Sequence, residues 1–195
     1  MLKSLRDLFS ALLGRGTGPV GSHSEPIFAI TTATLTLQTT FDLTPTGRAW
    51  LAFRQIESGQ FQDLEREIRD LLVIGARETG TKVETTRDKY GYVWVVLTDP
   101  QFEDLVTTMH LASSTLEEQG FGKALLAALF AFKHPERGTV YFVYNFKRGS
   151  FYPFVPRAGH TRDNAFELRL KGIMQGEMPI EQSLERWYPL WDIPG

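Results

Sequence analysis

TVYFVYNFKRGSFYPFV, residues 139–155, sets the reading of the whole chain. Two runs rich in aromatic and β-branched side chains flank Lys147-Arg148-Gly149. That composition predicts a hairpin of Thr139 to Phe146 and Ser150 to Val155, with glycine making a tight tip. Toward the C-terminus, Asp163 offers a cap for a helix near Asn164 to Met174. Beyond it, Trp187, Tyr188, Pro189 and Trp191 form an aromatic tail suited to covering core. Toward the N-terminus, the apolar run Phe121 to Lys133 predicts a helix. Asp99-Pro100 starts another, with Phe102, Leu105, Val106, Met109 and Leu116 as its buried stripe and Gly120 as its end. Lys82 to Arg87 and Tyr92 to Leu97 predict two strands joined through Asp88 to Gly91, the second apolar on both faces and therefore central. Phe61, Leu64, Ile68, Leu71 and Leu72 line a helix over Gln60 to Ile74. Ile27 to Gln38, where Leu35 and Leu37 alternate with threonines, predicts a strand, and the turn Thr44 to Gly47 leads to another over Arg48 to Ile56. The fold class expected is α+β: a mixed or antiparallel sheet covered by helices. An internal αββα duplication, Gln60 to Gln119 and Phe121 to Met174, is the alternative.

Leu2, Leu5, Leu8, Phe9, Leu12 and Leu13 recur at helical spacing among Lys3, Arg6, Asp7 and Arg15, so residues 1–15 predict an amphipathic helix. Residues 16–26, rich in glycine, proline and serine, read as a flexible linker tethering it to one α+β domain of residues 27–195. The 195 residues carry 21 basic and 23 acidic side chains, a net charge of −2, which gives no general attraction to nucleic acid. Cysteine is absent, which excludes disulfides, thiol catalysis and thiolate metal sites. Nothing in the sequence approaches the ~20 consecutive apolar residues of a membrane span. A soluble, cytoplasmic protein is expected, peripheral at the inner face of the cell membrane where the N-terminal helix engages lipid. Leu2, Leu5, Leu8, Phe9, Leu12 and Leu13, with Lys3 and Arg6, are the candidate membrane contacts.

Catalytic and cofactor motifs fail on context. Gly16 to Gly21 spells G-x-G-x-x-G, but it follows a helix and enters a Pro/Ser segment, where no strand presents it to a pyrophosphate. His23, His110, His134 and His160 are dispersed, without metal-ligand spacing. No nucleophile elbow or phosphate loop occurs, and Glu103-Asp104 and Glu117-Glu118 are adjacent on helices, where neighbours diverge. The reading is therefore no catalytic residue, no cofactor and no metal.

Lys147, Arg148, Arg157 and Arg162 interleave with Phe146, Phe151, Tyr152 and Phe154, with Asp163 opposing them. An RNA-recognition strand is rejected, because Ser150 and Pro153 break its pattern and no partner strand accompanies it. Two readings stay open. In one, the aromatics are core and an arginine, Arg148 above all, anchors on Asp163. In the other, Lys147, Arg148, Phe151, Tyr152, Arg157 and Arg162 form a recognition surface for a protein partner or a lipid headgroup.

Several separated strings carry a family likeness: LFSALLGR (8–15), LTPTGRAWLAFR (43–54), RDKYGYVWVV (87–96), LEEQGFGKALL (116–126), YNFKRGSFYPFVP (144–156), RDNAFEL (162–168) and MPIEQSLERWYPLWDIPG (178–195). In order and spacing they resemble the PspA-associated protein family PspAB, over nearly the full chain. The resemblance implies a non-enzymatic accessory protein of the phage-shock, or envelope-stress, response. Its implied partner is PspA, a coiled-coil membrane-remodelling protein. The resemblance transfers no catalytic or binding residues. The alternative reading is an enzyme or small-ligand binder with a pocket between sheet and helices.

Overall fold

A computed structural model describes residues 25–54, 66 and 80–195. The expected helices of residues 1–15 and Gln60 to Ile74, the linker before Glu25 and the last residues of the strand to Ile56 lie outside these, Arg66 excepted. Six strands form one sheet: β1 (Thr44–Arg54), β2 (Lys82–Arg87), β3 (Tyr92–Thr98), β4 (Leu125–His134), β5 (Gly138–Asn145) and β6 (Ser150–Phe154). Their order is β2-β3-β1-β4-β5-β6, with every neighbouring pair antiparallel. Among the described residues it is accompanied by the helices α1 (Ala29–Phe41), α2 (Phe102–Glu118) and α3 (Asn164–Met174). The α+β class is thus observed, with an antiparallel sheet.

Strand register divides the sheet into two faces. Leu51, Val95, Ala128 and Tyr144 share one, and Trp50, Val96, Leu129 and Val143 share the other. The first meets α2, whose Phe102 ring packs edge-on to Phe130 and Phe132 at 5.8 and 5.3 Å. Leu105, Val106, Met109 and Leu116 of α2 are fully buried, as the helical spacing predicts. Each such side chain contributes about 1.5–3 kcal/mol of burial energy. The second face lies under the tail.

Two elements reverse the sequence expectation. Residues 29–41 form a helix, not a strand: Ile30, Ala33, Leu37 and Phe41 are buried at helical period. Of the threonines that suggested a strand, Thr34 turns its hydroxyl onto Ile30 O at 2.9 Å, as the neighbouring Thr39 does onto Leu35 O at 2.9 Å, whereas Thr36 donates to Glu177 Oε1 at 2.5 Å. Asp42, left-handed at φ 53°, ends the helix, and Leu43 N donates back to Leu37 O at 3.0 Å. Conversely, residues 125–134 are a strand, not a helix. A central strand buried on both faces shows no period-2 alternation, so its apolar run LLAALFAF is indistinguishable by pattern from a buried helix. β4 stands where the second αββα unit would begin with a helix, and β4, β5 and β6 continue the sheet of β1, β2 and β3 instead of forming a duplicated unit.

Two smaller corrections concern ends. Thr44 to Gly47 belongs to β1 as an irregularity in its pairing with β4, not to a turn before it. Gly47 sits at φ 76°, and a Cβ there would lie 2.7 Å from Asp99 O. Helix α2 begins at Phe102, with Asp99 just before it: its Oδ1 accepts from Gln101 N at 2.8 Å and its Oδ2 from the Thr81 hydroxyl at 2.5 Å.

Candidate functional site

The hairpin formed by β5 and β6 is observed, with Asn145 paired to Ser150 across its base. Arg148 N and Gly149 N both donate to Asn145 O, and Gly149 takes the left-handed conformation at φ 61° that the tip requires. Lys147 and Arg148 are exposed on this tip. Among the described residues no hydrogen bond or ion pair engages the Arg148 side chain, so the expected anchoring of Arg148 on Asp163 does not occur. Phe151 is fully buried and Tyr152 is 2% exposed. These two candidate surface residues are core.

Arg157 and Arg162 lie at the far end of the segment, on a small second hairpin, β7 (Pro156–Arg157) and β8 (Thr161–Arg162). Gly159 and His160, both at positive φ, turn the chain between them. Asp163 is the cap of α3 that its position predicts: Oδ1 accepts from Phe166 N at 3.1 Å. Its Oδ2 accepts from Arg157 Nη2 and Arg137 Nη1, each at 2.5 Å. The Arg157 hydrogen bond comes first in holding the Asp163 carboxyl below its ordinary value, against the opposing effect of burial and with help from Phe166 N and Arg137. Arg137 also lies over the Phe166 ring at 4.5 Å.

Arg162 is the more enclosed. Its Nε lies 2.8 and 3.0 Å from the two oxygens of Glu167, and its Nη1 donates to Trp187 O at 2.7 Å. Side-chain exposure is 17% for Arg162 and 2% for Glu167. Burial pushes the Glu167 carboxyl up, and the Val155 amide at 2.7 Å together with Arg162 pulls it back. Beside this pair is a cleft of about 310 Å³ lined by Arg162, Asn164, Glu167, Leu168, Leu184 and Trp187. The charged groups on its wall are spent on one another and on backbone, so it offers the Trp187 ring, two leucines and the Asn164 amide rather than a free acid or base. Among the described residues no cluster of three metal-ligating side chains occurs.

The segment read as one basic and aromatic surface therefore separates into an exposed tip, a buried middle and an ion-paired end. Arg137 and Glu167 had no distinctive signal in the sequence, because each finds its partner only through the fold. The candidate membrane contacts Leu2, Lys3, Leu5, Arg6, Leu8, Phe9, Leu12 and Leu13 lie outside the described residues. No helix among the described residues is long and apolar enough to cross a membrane.

Residues 6–195 match the family described as PspA associated protein B, and the chain belongs to that family. No curated protein matches it.

Proposed function

We propose that this member of the PspA associated protein B family is a non-enzymatic adaptor of a PspA-type membrane-stress response, binding a PspA-type coiled-coil protein. The observation that carries this reading is membership of a family described by its association with PspA, over residues 6–195. The partner surface is the exposed tip Lys147-Arg148. Exposed cations on a rigid hairpin suit an acidic stripe on a partner helix, because charge complementarity steers encounter and sets orientation. Residues 1–15 supply a second, weaker contact, laying Leu2, Leu5, Leu8, Phe9, Leu12 and Leu13 into the interface of an anionic membrane with Lys3 and Arg6 toward the headgroups. A lone short helix of this kind binds modestly and reversibly.

The test is a titration of purified PspA-type protein against the full chain and against a Lys147→Glu, Arg148→Glu double variant. Micromolar or tighter binding by the full chain, weakened at least about tenfold by the double variant, is the expected result. Absence of binding by the full chain refutes the adaptor reading. Equal binding by the variant moves the surface elsewhere.

A further inference from the structure

We propose that the sheet face beneath residues 187–195 is a peptide-binding groove, filled in cis by the chain's own tail and able to take instead an extended, acidic, aromatic segment of a partner protein. Trp50, Tyr141 and Phe154 form a row of rings across the sheet, with successive centroids 5.8 and 6.3 Å apart. The tail lies on this row and beside it. Trp187 stacks on Tyr152 at 6.2 Å, and Trp191 meets Phe154 edge-on at 5.0 Å. Polar contacts run from side chains of the body to carbonyls of the tail. Arg162 Nη1 donates to Trp187 O at 2.7 Å and the Tyr152 hydroxyl to Tyr188 O at 3.0 Å. Trp50 Nε1 donates to Pro194 O at 2.8 Å and Arg48 Nη1 to Gly195 O at 2.6 Å.

The body thus recognises backbone carbonyls and two rings four residues apart, features that any extended chain with that ring spacing presents. Arg48 and Lys89 give the groove a basic rim, and Lys89 Nζ reaches Asp192 Oδ2 at 3.6 Å, so charge complementarity selects an acidic segment. The tail's hold here comes from side chains of the body and not from a strand ladder. Its last ladder-like bond is Glu181 N to Phe151 O, and from Trp187 onward it pairs with no strand. Releasing it breaks no sheet hydrogen bonds. A second copy's tail would make in trans the contacts each tail already makes in cis, while forfeiting the millimolar-range effective concentration of a tethered segment. That comparison favours a different protein as the occupant. The inference is independent of the PspA reading, since neither the tip nor residues 1–15 take part.

The probe is a fluorescent peptide with the sequence of residues 183–195, followed by anisotropy against the full-length protein and against a full-length Trp191→Ala, Asp192→Ala variant whose tail is loosened. The loosened variant is expected to bind at least about tenfold more tightly than the parent, because its cis competitor is weakened. Adding Trp50→Phe and Arg48→Ala should remove that gain. In the unmodified protein, excess unlabelled peptide should accelerate amide exchange across residues 188–193. No gain in the loosened variant, a gain indifferent to Trp50 and Arg48, or unchanged tail exchange under excess peptide each overturns the proposal. Self-association of the full chain that the peptide abolishes would assign the groove to a second copy and overturn the choice of partner.

Discussion

Arg148 and Arg162 lie fourteen positions apart in one basic and aromatic segment, yet they meet opposite environments. Arg148 rides on the exposed tip of the hairpin, with no charged partner among the described residues. Arg162 is enclosed between a carboxylate, a backbone carbonyl and the Phe154 ring, 5.1 Å from its guanidinium carbon. The difference teaches that interleaved charge and aromaticity mark a segment as unusual without saying which charges face solvent. The partner decides that, and Glu167 and Trp187 reach Arg162 only after α3 and the tail have folded back.

The sharpest way to break the contrast is Arg162→Ala, which strands Glu167 beneath the surface. Removing one partner of a buried pair costs on the order of 3–5 kcal/mol, so the melting temperature should fall by many degrees. A loss no larger than that of Arg148→Ala would mean that the two arginines are equivalent. Gly149→Val tests the tip by its backbone rather than its charge. Positive φ resists a β-branched residue, and a cost of about 1–3 kcal/mol is expected in chemical denaturation.

Asp163→Asn should cost about 1 kcal/mol at neutral pH, discounted because its arginine partners are about a third exposed and solvent screens them. Its pH dependence gives a second readout. The folded Asp163 carboxyl lies below its ordinary value of 3.8, so the stability it supplies is complete above that value and disappears as pH falls through the depressed one. The gap between parent and variant should therefore close on acidification. Glu167 has the opposite sign: raised from 4.5, it contributes stability that is full at low pH and lost as pH rises through its folded value. Denaturation curves across the acidic range separate the two. The smallest effect belongs to Arg148→Ala, within about 0.5 kcal/mol in thermal unfolding, while binding of a PspA-type partner weakens.

Helix α2 and the cap of α3 were legible by helical spacing and terminal chemistry, and strands β2 and β3 and the β5–β6 hairpin by their β-branched and aromatic composition between turn residues. α1 and β4 were not, and for opposite reasons. Threonines in α1 offered β-branching while the buried set Ile30, Ala33, Leu37 and Phe41 followed helical spacing underneath. Alanines and leucines in β4 offered helix propensity to a strand whose two faces are both buried. At the site, Gly149 and Asp163 were readable as local devices. The cations that reach Asp163, Arg157 and Arg137, could not be told from Arg148 by sequence, because Arg137 arrives from 26 residues away. The tail's cover of the core was legible in Trp187 and Trp191, whose rings meet Tyr152 and Phe154. The polar bonds that seat it were not, because they run to carbonyls, which every residue has.

The outer edge of β6 is closed at Phe151, which gives its amide to Pro179 O and takes one from Glu181 N beside the parallel bridge to Ile180. In the order of synthesis, SFYPF emerges well before the residues that seal it. An aromatic strand with an open edge can pair with a neighbouring chain, and Pro153, which lacks an amide, is its only built-in interruption. The nascent chain therefore passes through an interval of self-association hazard that ends when residues 179–181 dock. Folding yield, rather than equilibrium stability, is where a defect in that short segment would first be felt.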